Sequence, residues 1–236
     1  MYSKIELFSK SRVGVGNIVR HFSFAGFAIL SGVRMTSPVT SAHFNLFLLP
    51  GFLDPKTCVD IKRELNSSPT TPAPVYIEGS TDLVHEDVRR TTSLHPSDET
   101  ISRIHDRLFE QKADLENHFD LKLVDCEPPQ FLRYRKGDFF VRHQDGNTDQ
   151  LEFDHLRIRR ISIVVFLNDS SAESKADTFC GGSLKFYDRD DVPAFECQVL
   201  SVKGETGLLV AFAAHTIHEV EPVVCGERFT IISWFR

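Results

Sequence analysis

Two residues with metal-binding side chains, His143 and Asp145, stand two positions apart in a stretch rich in β-branched and aromatic residues. In an extended strand the side chains of residues i and i+2 project to the same side, so this imidazole and this carboxylate converge while Gln144 points away. A third ligand must come from elsewhere in the chain. The candidates among the later histidines are His155, His215 and His218. Two histidines and one carboxylate would suit iron(II) and would leave coordination positions open for other ligands.

An H-x-D pair occurs by chance in many proteins, so the residues that accompany it decide how it is interpreted. Tyr134 and Gly137 precede the pair, and the run Val88-Arg89-Arg90-Thr91-Thr92-Ser93 lies further upstream. After the pair come two segments, Gly181-Gly182-Ser183-Leu184-Lys185-Phe186 and His218-Glu219-Val220-Glu221-Pro222-Val223. Arg228 follows His218 by ten residues.

This ordered pattern resembles the prolyl 4-hydroxylase-like branch of the iron(II)- and 2-oxoglutarate-dependent oxygenases, over roughly residues 47–236. The resemblance implies Fe(II), 2-oxoglutarate and O2 as cofactors, with ascorbate as a reductant. It also implies a catalytic metal site made of His143, Asp145 and His218. His218 is preferred over His215 because the Glu-Val-x-Pro-Val continuation and the spacing to Arg228 both attach to it.

The same resemblance implies residues for binding the cosubstrate. Arg228 suits the distal carboxylate of 2-oxoglutarate, because a guanidinium offers two parallel donors and stays charged when buried. Thr230 lies on the same face of the strand and could add a hydroxyl, and Tyr134 resembles the tyrosine that such enzymes place beside the cosubstrate. One departure is Val164-Val165-Phe166, where several relatives carry a second tyrosine.

The implied activity is a dioxygenase reaction that hydroxylates an unactivated C–H bond and releases succinate and CO2. The substrate it suggests is a prolyl or other residue in a peptide or protein. The acidic residues of the loops 146–157 and 169–179 favour a basic or amine-bearing substrate. Two alternatives stay open: a hydroxylase of a free amino acid or small metabolite, and a metal-binding jelly-roll module without turnover. Succinate release with and without substrate would separate them.

The elements that must position these residues follow from local patterns. Asp54-Pro55 is typical of a helix start and predicts a short helix to about Asn66. The prolines and hydroxyl residues of 67–74 predict a loop. Ile101, Ile104, Leu108 and Leu115 recur at helical spacing and predict one long helix, from about Ser97 to Phe119. These helices would buttress a sheet.

After Pro129 the pattern becomes extended, with short runs of β-branched and aromatic residues between Gly, Asp, Asn and Pro. Eight strands without intervening helices predict a mainly β fold with flanking helices, of class α+β, whose core from about 129 to 236 is a double-stranded β-helix, or jelly roll. The predicted strands are Gln130–Arg135, Phe139–His143, Arg159–Leu167, Ser183–Tyr187, Phe195–Val202, Leu208–Ala213, Ile217–Val223 and Arg228–Phe235.

Charge and hydropathy exclude other classes of partner. The formal net charge is −6, yet residues 1–44 carry five basic side chains and only one acidic side chain, Glu6, so the remainder is more acidic than the whole. Such a body argues against nucleic acid as a partner, because nucleic-acid binders carry a basic footprint. No apolar run is long enough to span a bilayer, and no membrane partner is expected.

The amino-terminal segment, residues 1–44, differs from the body and is expected to be poorly ordered, leaving 45–236 as one oxygenase domain. It could be a transit-like segment or upstream sequence preceding a true start at Met35. The five cysteines are odd in number, far apart and without a C-x-x-C pair, which favours a reducing, cytoplasmic location.

Overall fold

The computed structural model describes residues 44–77, 80–83, 86–146, 158–189 and 192–236. Residues 1–43, predicted to be poorly ordered, lie outside this range. The described helices are α1 Pro55–Ser67, α2 Asp98–Phe109 and α3 Lys112–Phe119. The strands are β1 Leu46–Leu49, β2 Thr70–Pro72, β3 Val75–Ile77, β4 Ser80–Leu83, β5 Arg89–Arg90, β6 Thr92–Leu94, β7 Gln130–Tyr134, β8 Phe139–His143, β9 Ile161–Phe166, β10 Phe179–Gly181, β11 Leu184–Tyr187, β12 Val199–Val202, β13 Leu209–Ala213, β14 Ile217–Val220, β15 Val223–Gly226 and β16 Arg228–Phe235.

Two antiparallel sheets form the core. The larger sheet has the order β1-β13-β9-β16-β7-β6-β2, and the smaller has the order β12-β11-β14-β8-β5. Several strands that are neighbours in sequence lie in different sheets, as β7 and β8 do, and as β13 and β14 do. This arrangement confirms the predicted jelly roll, because such crossing between sheets is what closes two sheets around one interior.

The larger sheet is buried on both faces, and successive side chains along each strand point to opposite faces. In β9, Ile163 and Val165 pack with residues of α1 and α2, whereas Val164 and Phe166 face the smaller sheet. In β16, the residue facing the helices is, for example, Ile231. The helices therefore cover the outer face of the larger sheet, as predicted, and the interior between the sheets is left for the functional side chains.

Helices α1 and α2 begin at the predicted residues, but the second predicted helix ends earlier than expected. At α1 the side chain of Asp54 accepts a hydrogen bond from the backbone N–H of Thr57 at 3.0 Å, with proline in the first turn. The predicted long helix is instead two, α2 and α3. Gln111, at φ −83° and ψ −5°, donates its backbone N–H to Leu108 O at 3.0 Å, a tight turn without glycine or proline to signal it.

Three predicted elements differ from the observed ones. The predicted loop 67–74 contains β2, which pairs with β6 at the sheet edge, where a proline such as Pro72 is tolerated. The predicted strand Phe195–Val202 begins instead as a 3-10 turn, Ala194–Glu196, and only Val199–Val202 is extended. The predicted strand Ile217–Val223 is two strands, because Pro222 separates β14 from β15 and each pairs with a different partner.

The cysteines differ from the expectation based on their spacing. Cys180 and Cys225, 45 residues apart, are directly opposite in the β10–β15 pair and form a disulfide. Cys58, Cys126 and Cys197 are free. The cytoplasmic location remains a prediction. Within the described residues, no helix has the length and apolar character needed to cross a membrane.

Candidate metal and cosubstrate site

A β-bulge directs His143 into the interior. Across the β8–β14 pair, His143 lies opposite His218 and Phe140 lies opposite Val220, so two residues of β8 face the single Glu219 of β14. Such an extra residue bends the strand and changes which side its neighbours face. The bulge therefore lets Phe140 and His143 lie on the same side, although they are three positions apart.

The three predicted metal ligands come together. The metal-binding atoms of His143, Asp145 and His218 all lie within 4.8 Å of one another, and among the described residues this is the group of histidine, cysteine and acidic side chains that could hold an ion. Asp145 Oδ1 is 3.4 Å from His143 Nε2, and Asp145 Oδ2 is 3.5 Å from His218 Nε2. Both imidazoles thus present Nε2 to one carboxylate.

The backbone fixes which nitrogen of each ring is available. His143 Nδ1 is 2.7 Å from Val141 O, and His218 Nδ1 is 2.8 Å from Thr216 O. A carbonyl only accepts hydrogen bonds, so each Nδ1 carries the proton and each Nε2 keeps a lone pair. This outer support is what metal-binding histidines require, and the donor set fits iron(II).

Charge and burial hold the triad in the ionisation states that a metal needs. Burial would raise the pKa of the Asp145 carboxyl, but His218, then His143, and also Trp234 lower it well below its usual range. Burial, assisted by the charge of His143, lowers the pKa of His218 to about 4. At neutral pH the site therefore offers a carboxylate and a neutral imidazole without first losing protons.

Aromatic rings enclose the triad. Phe140 stacks on His143 with ring centroids 3.6 Å apart, and Phe212 meets His218 edge-on at 4.7 Å. The position of Phe140 beside His143 could not be predicted from strand alternation, because the bulge overrides it. Trp234 could have been found, since it shares the parity of Arg228 and Thr230 along β16.

Arg159, which is paired with a carboxylate, supports the end of the barrel where the triad lies. Arg159 donates to both carboxylate oxygens of Glu127, at 2.9 and 2.7 Å, and its guanidinium lies 3.6 Å above the ring of Trp234. It also donates to the backbone oxygen of Asp145 at 3.4 Å. The Glu127–Arg159 pair is buried, fork to fork, and holds the backbone from which the Asp145 carboxylate projects.

A second buried arginine, Arg228, lacks such a partner. Its side chain is 1% exposed, and Nη1 donates to Thr230 Oγ1 at 3.3 Å. Among the residues that the structure describes, none is a hydrogen-bond partner of Nε or Nη2. The guanidinium lies 5.0 Å from the ring centroid of Tyr134 and 4.9 Å from that of Phe166. Burial lowers the pKa of Arg228 to about 10, so it remains a cation at neutral pH.

The Arg228 pocket has the features expected of a carboxylate site. Two unpaired donors on a buried cation are costly unless an anion completes them. The backbone at Gly182 runs close to the pocket, since a Cβ there would be 3.1 Å from Arg228 Cδ. Phe166, at the position of the departure from the family pattern, lines the pocket with carbon rather than with a hydroxyl. The residues present therefore fit one carboxylate of 2-oxoglutarate.

The other candidate residues lie elsewhere. His215 is exposed and outside the triad, although its backbone oxygen accepts from the side chain of Gln144. Lys185, a conceivable alternative partner for the cosubstrate, pairs with Glu221. His155 and the loop residues 147–157 lie outside the described residues.

The loop 169–179 is anchored at the Arg228 end of the barrel. The buried Lys62 of α1 forms an ion pair with Asp177. Asn168 donates to the backbone oxygens of Asp177 and Glu227, and Asp169 accepts from Thr206. These contacts hold the loop against α1 and the turn before β16.

Comparison with known proteins agrees with this geometry. The family model of the 2OG-Fe(II) oxygenase superfamily matches residues 129–236. A PKHD-type hydroxylase from Sphingopyxis alaskensis is 28% identical over 166 residues, covering 68% of this chain and 67% of that protein. Another from Cupriavidus pinatubonensis is 31% identical over 110 residues, covering 46% of this chain and 42% of its own length. The second alignment thus spans less than half of that relative.

Solved structures share the fold. A Pseudomonas putida prolyl-4-hydroxylase superposes with a TM-score of 0.60 at 22% identity, covering 83% of this chain and 94% of its own. A second structure is a prolyl hydroxylase in complex with a hypoxia-inducible-factor oxygen degradation domain peptide fragment from Trichoplax adhaerens. It superposes with a TM-score of 0.59 at 16% identity, covering 82% of this chain and 84% of its own. Residues 129–236, which contain the whole triad, are thus similar to the 2OG-Fe(II) oxygenase superfamily, whose name denotes Fe(II) and 2-oxoglutarate. The relatives named above are PKHD-type hydroxylases, and the solved structures named above are prolyl hydroxylases that share the fold.

Proposed function

We propose that this chain is a 2-oxoglutarate-dependent dioxygenase that hydroxylates an unactivated C–H bond in a peptide or protein, with a prolyl residue as the first candidate, and releases succinate and CO2. One observation carries the proposal. A buried guanidinium with two unpaired donors, on Arg228, lies in the same interior as a His-Asp-His triad. The two features together call for a dianionic ligand that can reach a metal, which describes 2-oxoglutarate.

The residues at the metal end would bind and orient. His143, Asp145 and His218 would hold Fe(II) through two Nε2 atoms and one carboxylate, and their three-ligand face leaves room for other ligands. When bound, the iron with 2-oxoglutarate and O2 supplies the oxidation, in which loss of CO2 is coupled to insertion of one oxygen atom. The surrounding Phe140, Phe212 and Trp234 exclude water from this region.

At the other end, Arg228 would bind the distal carboxylate of the cosubstrate. Thr230 accepts from the guanidinium and so sets its orientation, and Tyr134 lies beside it. With Phe166 supplying no hydroxyl, the carboxylate would depend on Arg228 more heavily than in a pocket with a second tyrosine. We therefore assign Arg228, Tyr134 and Thr230 to cosubstrate binding.

The peptide substrate is supported by the relatives and by charge. One structural neighbour is a prolyl hydroxylase in complex with a peptide fragment. The segment 147–157, which follows Asp145 in sequence, carries acidic residues and would favour a basic peptide. Loops on a fixed scaffold commonly determine specificity, so this segment is the first place to alter substrate preference.

The test is a coupled assay on the iron-loaded full chain with 2-oxoglutarate, O2 and ascorbate as reductant. Succinate is measured with a panel of proline-containing peptides, with matched panels of free amino acids and small metabolites, and with no substrate. The proposal expects substrate-dependent succinate and a product heavier by one oxygen atom, both lost in Arg228→Ala. Turnover only with free metabolites would favour the small-molecule alternative. No succinate under any condition, with iron still bound, would favour a module without turnover.

A further inference from the structure

A disulfide joins the two short strands that lie next to Gly182 and Arg228 in sequence. Cys180 and Cys225 occupy the central register position of the two-stranded β10–β15 sheet, with Cα atoms 4.9 Å apart. Both residues are partly exposed. A disulfide that thiols can approach is open to exchange, unlike one sealed inside a core.

Each half of the disulfide is close in sequence to a residue that shapes the pocket. Cys180 is followed by Gly181 and Gly182, and a Cβ on Gly182 would lie 3.1 Å from Arg228 Cδ and 3.0 Å from Val223 Cγ2. Cys225 precedes Arg228 by three residues. The cross-link therefore joins the strand that passes beside the guanidinium to the strand that leads into it.

Backbone hydrogen bonds tie each strand to the barrel, from Phe179 N to Asp169 O at 3.1 Å and from Val223 N to Asp138 O at 3.0 Å, but few bonds join the two strands to each other. The β10–β15 pair has three residue pairings, and its register shifts between Cys180 and Gly181. Gly181, Gly182 and Gly226 all have positive φ. Glycine has the greatest conformational freedom when unfolded, and so short a strand pair is weak alone. The covalent bond is therefore the strongest link between the two strands.

We propose that Cys180 and Cys225 form a redox-active pair whose disulfide keeps the pocket shaped around Arg228 and whose reduction weakens 2-oxoglutarate binding. This inference rests on the proposed function of Arg228. The reductant is a dithiol. Its thiolate attacks one sulfur, the other cysteine leaves as a thiolate and takes a proton, and the second thiol of the reductant resolves the mixed disulfide. Two electrons pass to the cysteine pair, and the reductant becomes a cyclic disulfide.

The experiment compares oxidised and reduced full chain loaded with Mn(II), which does not change oxidation state during the measurement. One sample is treated with oxidised glutathione and the other with dithiothreitol, and each is freed of reagent under anaerobic conditions. Alkylation and peptide mass spectrometry report the state of Cys180 and Cys225. Calorimetric titration with 2-oxoglutarate reports affinity, and circular dichroism reports folding. Reduction should raise the dissociation constant by about fivefold or more, the lower end of typical coupling between sites.

Two variants make the comparison specific. Cys180→Ser with Cys225→Ser should bind like the reduced chain and ignore both reagents. Cys197→Ser, which alters a free and partly exposed thiol, should keep the full response. Free thiols at both positions after oxidation, equal affinities in the two states, or unfolding on reduction would each overturn the redox proposal. Absence of 2-oxoglutarate binding in both states, with the disulfide mapped, would instead show that the proposed function of Arg228 is wrong.

Discussion

The two ends of the barrel each contain a buried arginine, and the two arginines are in opposite situations. At the metal end, Arg159 is matched by the carboxylate of Glu127 and supports the backbone of Asp145. At the other end, Arg228 is more deeply buried, and within the described part of the chain its side chain hydrogen-bonds to Thr230 alone, with aromatic rings on its flanks. Arg159 is thus paired with a carboxylate of the protein, whereas Arg228 has donors that a ligand could use.

This contrast separates a buried arginine that is paired within the protein from one whose donors are available to a ligand. Burying a charge is costly, and the cost is offset either by a protein partner or by something that binds. Where the chain supplies the partner, the arginine contributes to stability. Where it does not, the arginine contributes to affinity. The predictions below test that division.

The largest loss of activity is expected for changes at the triad, because the proposed metal site has three protein ligands and needs each of them. Replacing His143, Asp145 or His218 by Ala should abolish turnover and most iron binding, because each supplies one of three ligand atoms. Iron content after gel filtration and succinate release measure this. His215→Ala is the matched control and should be nearly silent. Iron lost in His215→Ala but retained in His218→Ala would contradict the assignment.

Removing the paired arginine should cost stability. Arg159→Ala takes the closest partner from the carboxylate of Glu127, whose side chain is 13% exposed, and leaves it the longer contact to Arg236 Nε at 3.6 Å. Breaking a buried pair costs about 3–5 kcal/mol, which urea unfolding would detect. Changing both residues together, as Glu127→Gln with Arg159→Met, should recover much of that loss because no buried charge is left alone. An Arg159→Ala chain as stable as the parent would contradict the proposed contribution of Arg159 to stability.

Removing the unpaired arginine should cost affinity instead. In Arg228→Ala the 2-oxoglutarate carboxylate loses a desolvated charge partner, worth on the order of 2–5 kcal/mol. That corresponds to weakening by about 30-fold to several thousand-fold. Titration of the iron-loaded chain, followed by the metal-to-ligand absorption band, measures it.

Two controls sharpen that result. Arg228→Lys should lose less affinity, since it keeps the charge but not the two parallel donors. Without 2-oxoglutarate, Arg228→Ala should be as stable as the parent or more so, in contrast to Arg159→Ala. Parental affinity in Arg228→Ala would mean that another residue holds the carboxylate.

The last expected effect concerns pH and the metal-free chain. His218 has a folded pKa of about 4, below the ordinary value of 6.5. The unfolded chain therefore binds the proton more readily, and the contribution of the neutral imidazole is fully present above pH 6.5 and lost as pH falls toward 4. At about 1.4 kcal/mol per pKa unit, the loss is about 3 kcal/mol. Urea unfolding between pH 4 and 7 should show it, with His218→Gln less sensitive; equal slopes would argue against it.

Much of the fold and the site could be predicted because the signals are local. Short runs of β-branched and aromatic residues after Pro129 predicted the jelly roll, and Asp54-Pro55 predicted the start of α1. The two-residue spacing predicted that His143 and Asp145 lie together, and the motif around His218 indicated which distant histidine lies near them.

Other features could not be predicted, since they depend on how distant strands come together. A bulge between β8 and β14 placed Phe140 beside His143 against simple alternation. A turn without glycine or proline divided the long helix.

The amino-acid sequence supplies the chemical types available to this protein, namely two imidazoles, a carboxylate and a guanidinium in a region of predicted strands. Which charges are paired depends on the tertiary structure. Glu127 and Arg159 stand 32 residues apart, and Cys180 and Cys225 stand 45 apart. Neither pairing follows from local spacing, because burial and partnership arise when the two sheets close around the interior. That closure matched Arg159 with a carboxylate and left Arg228 without one.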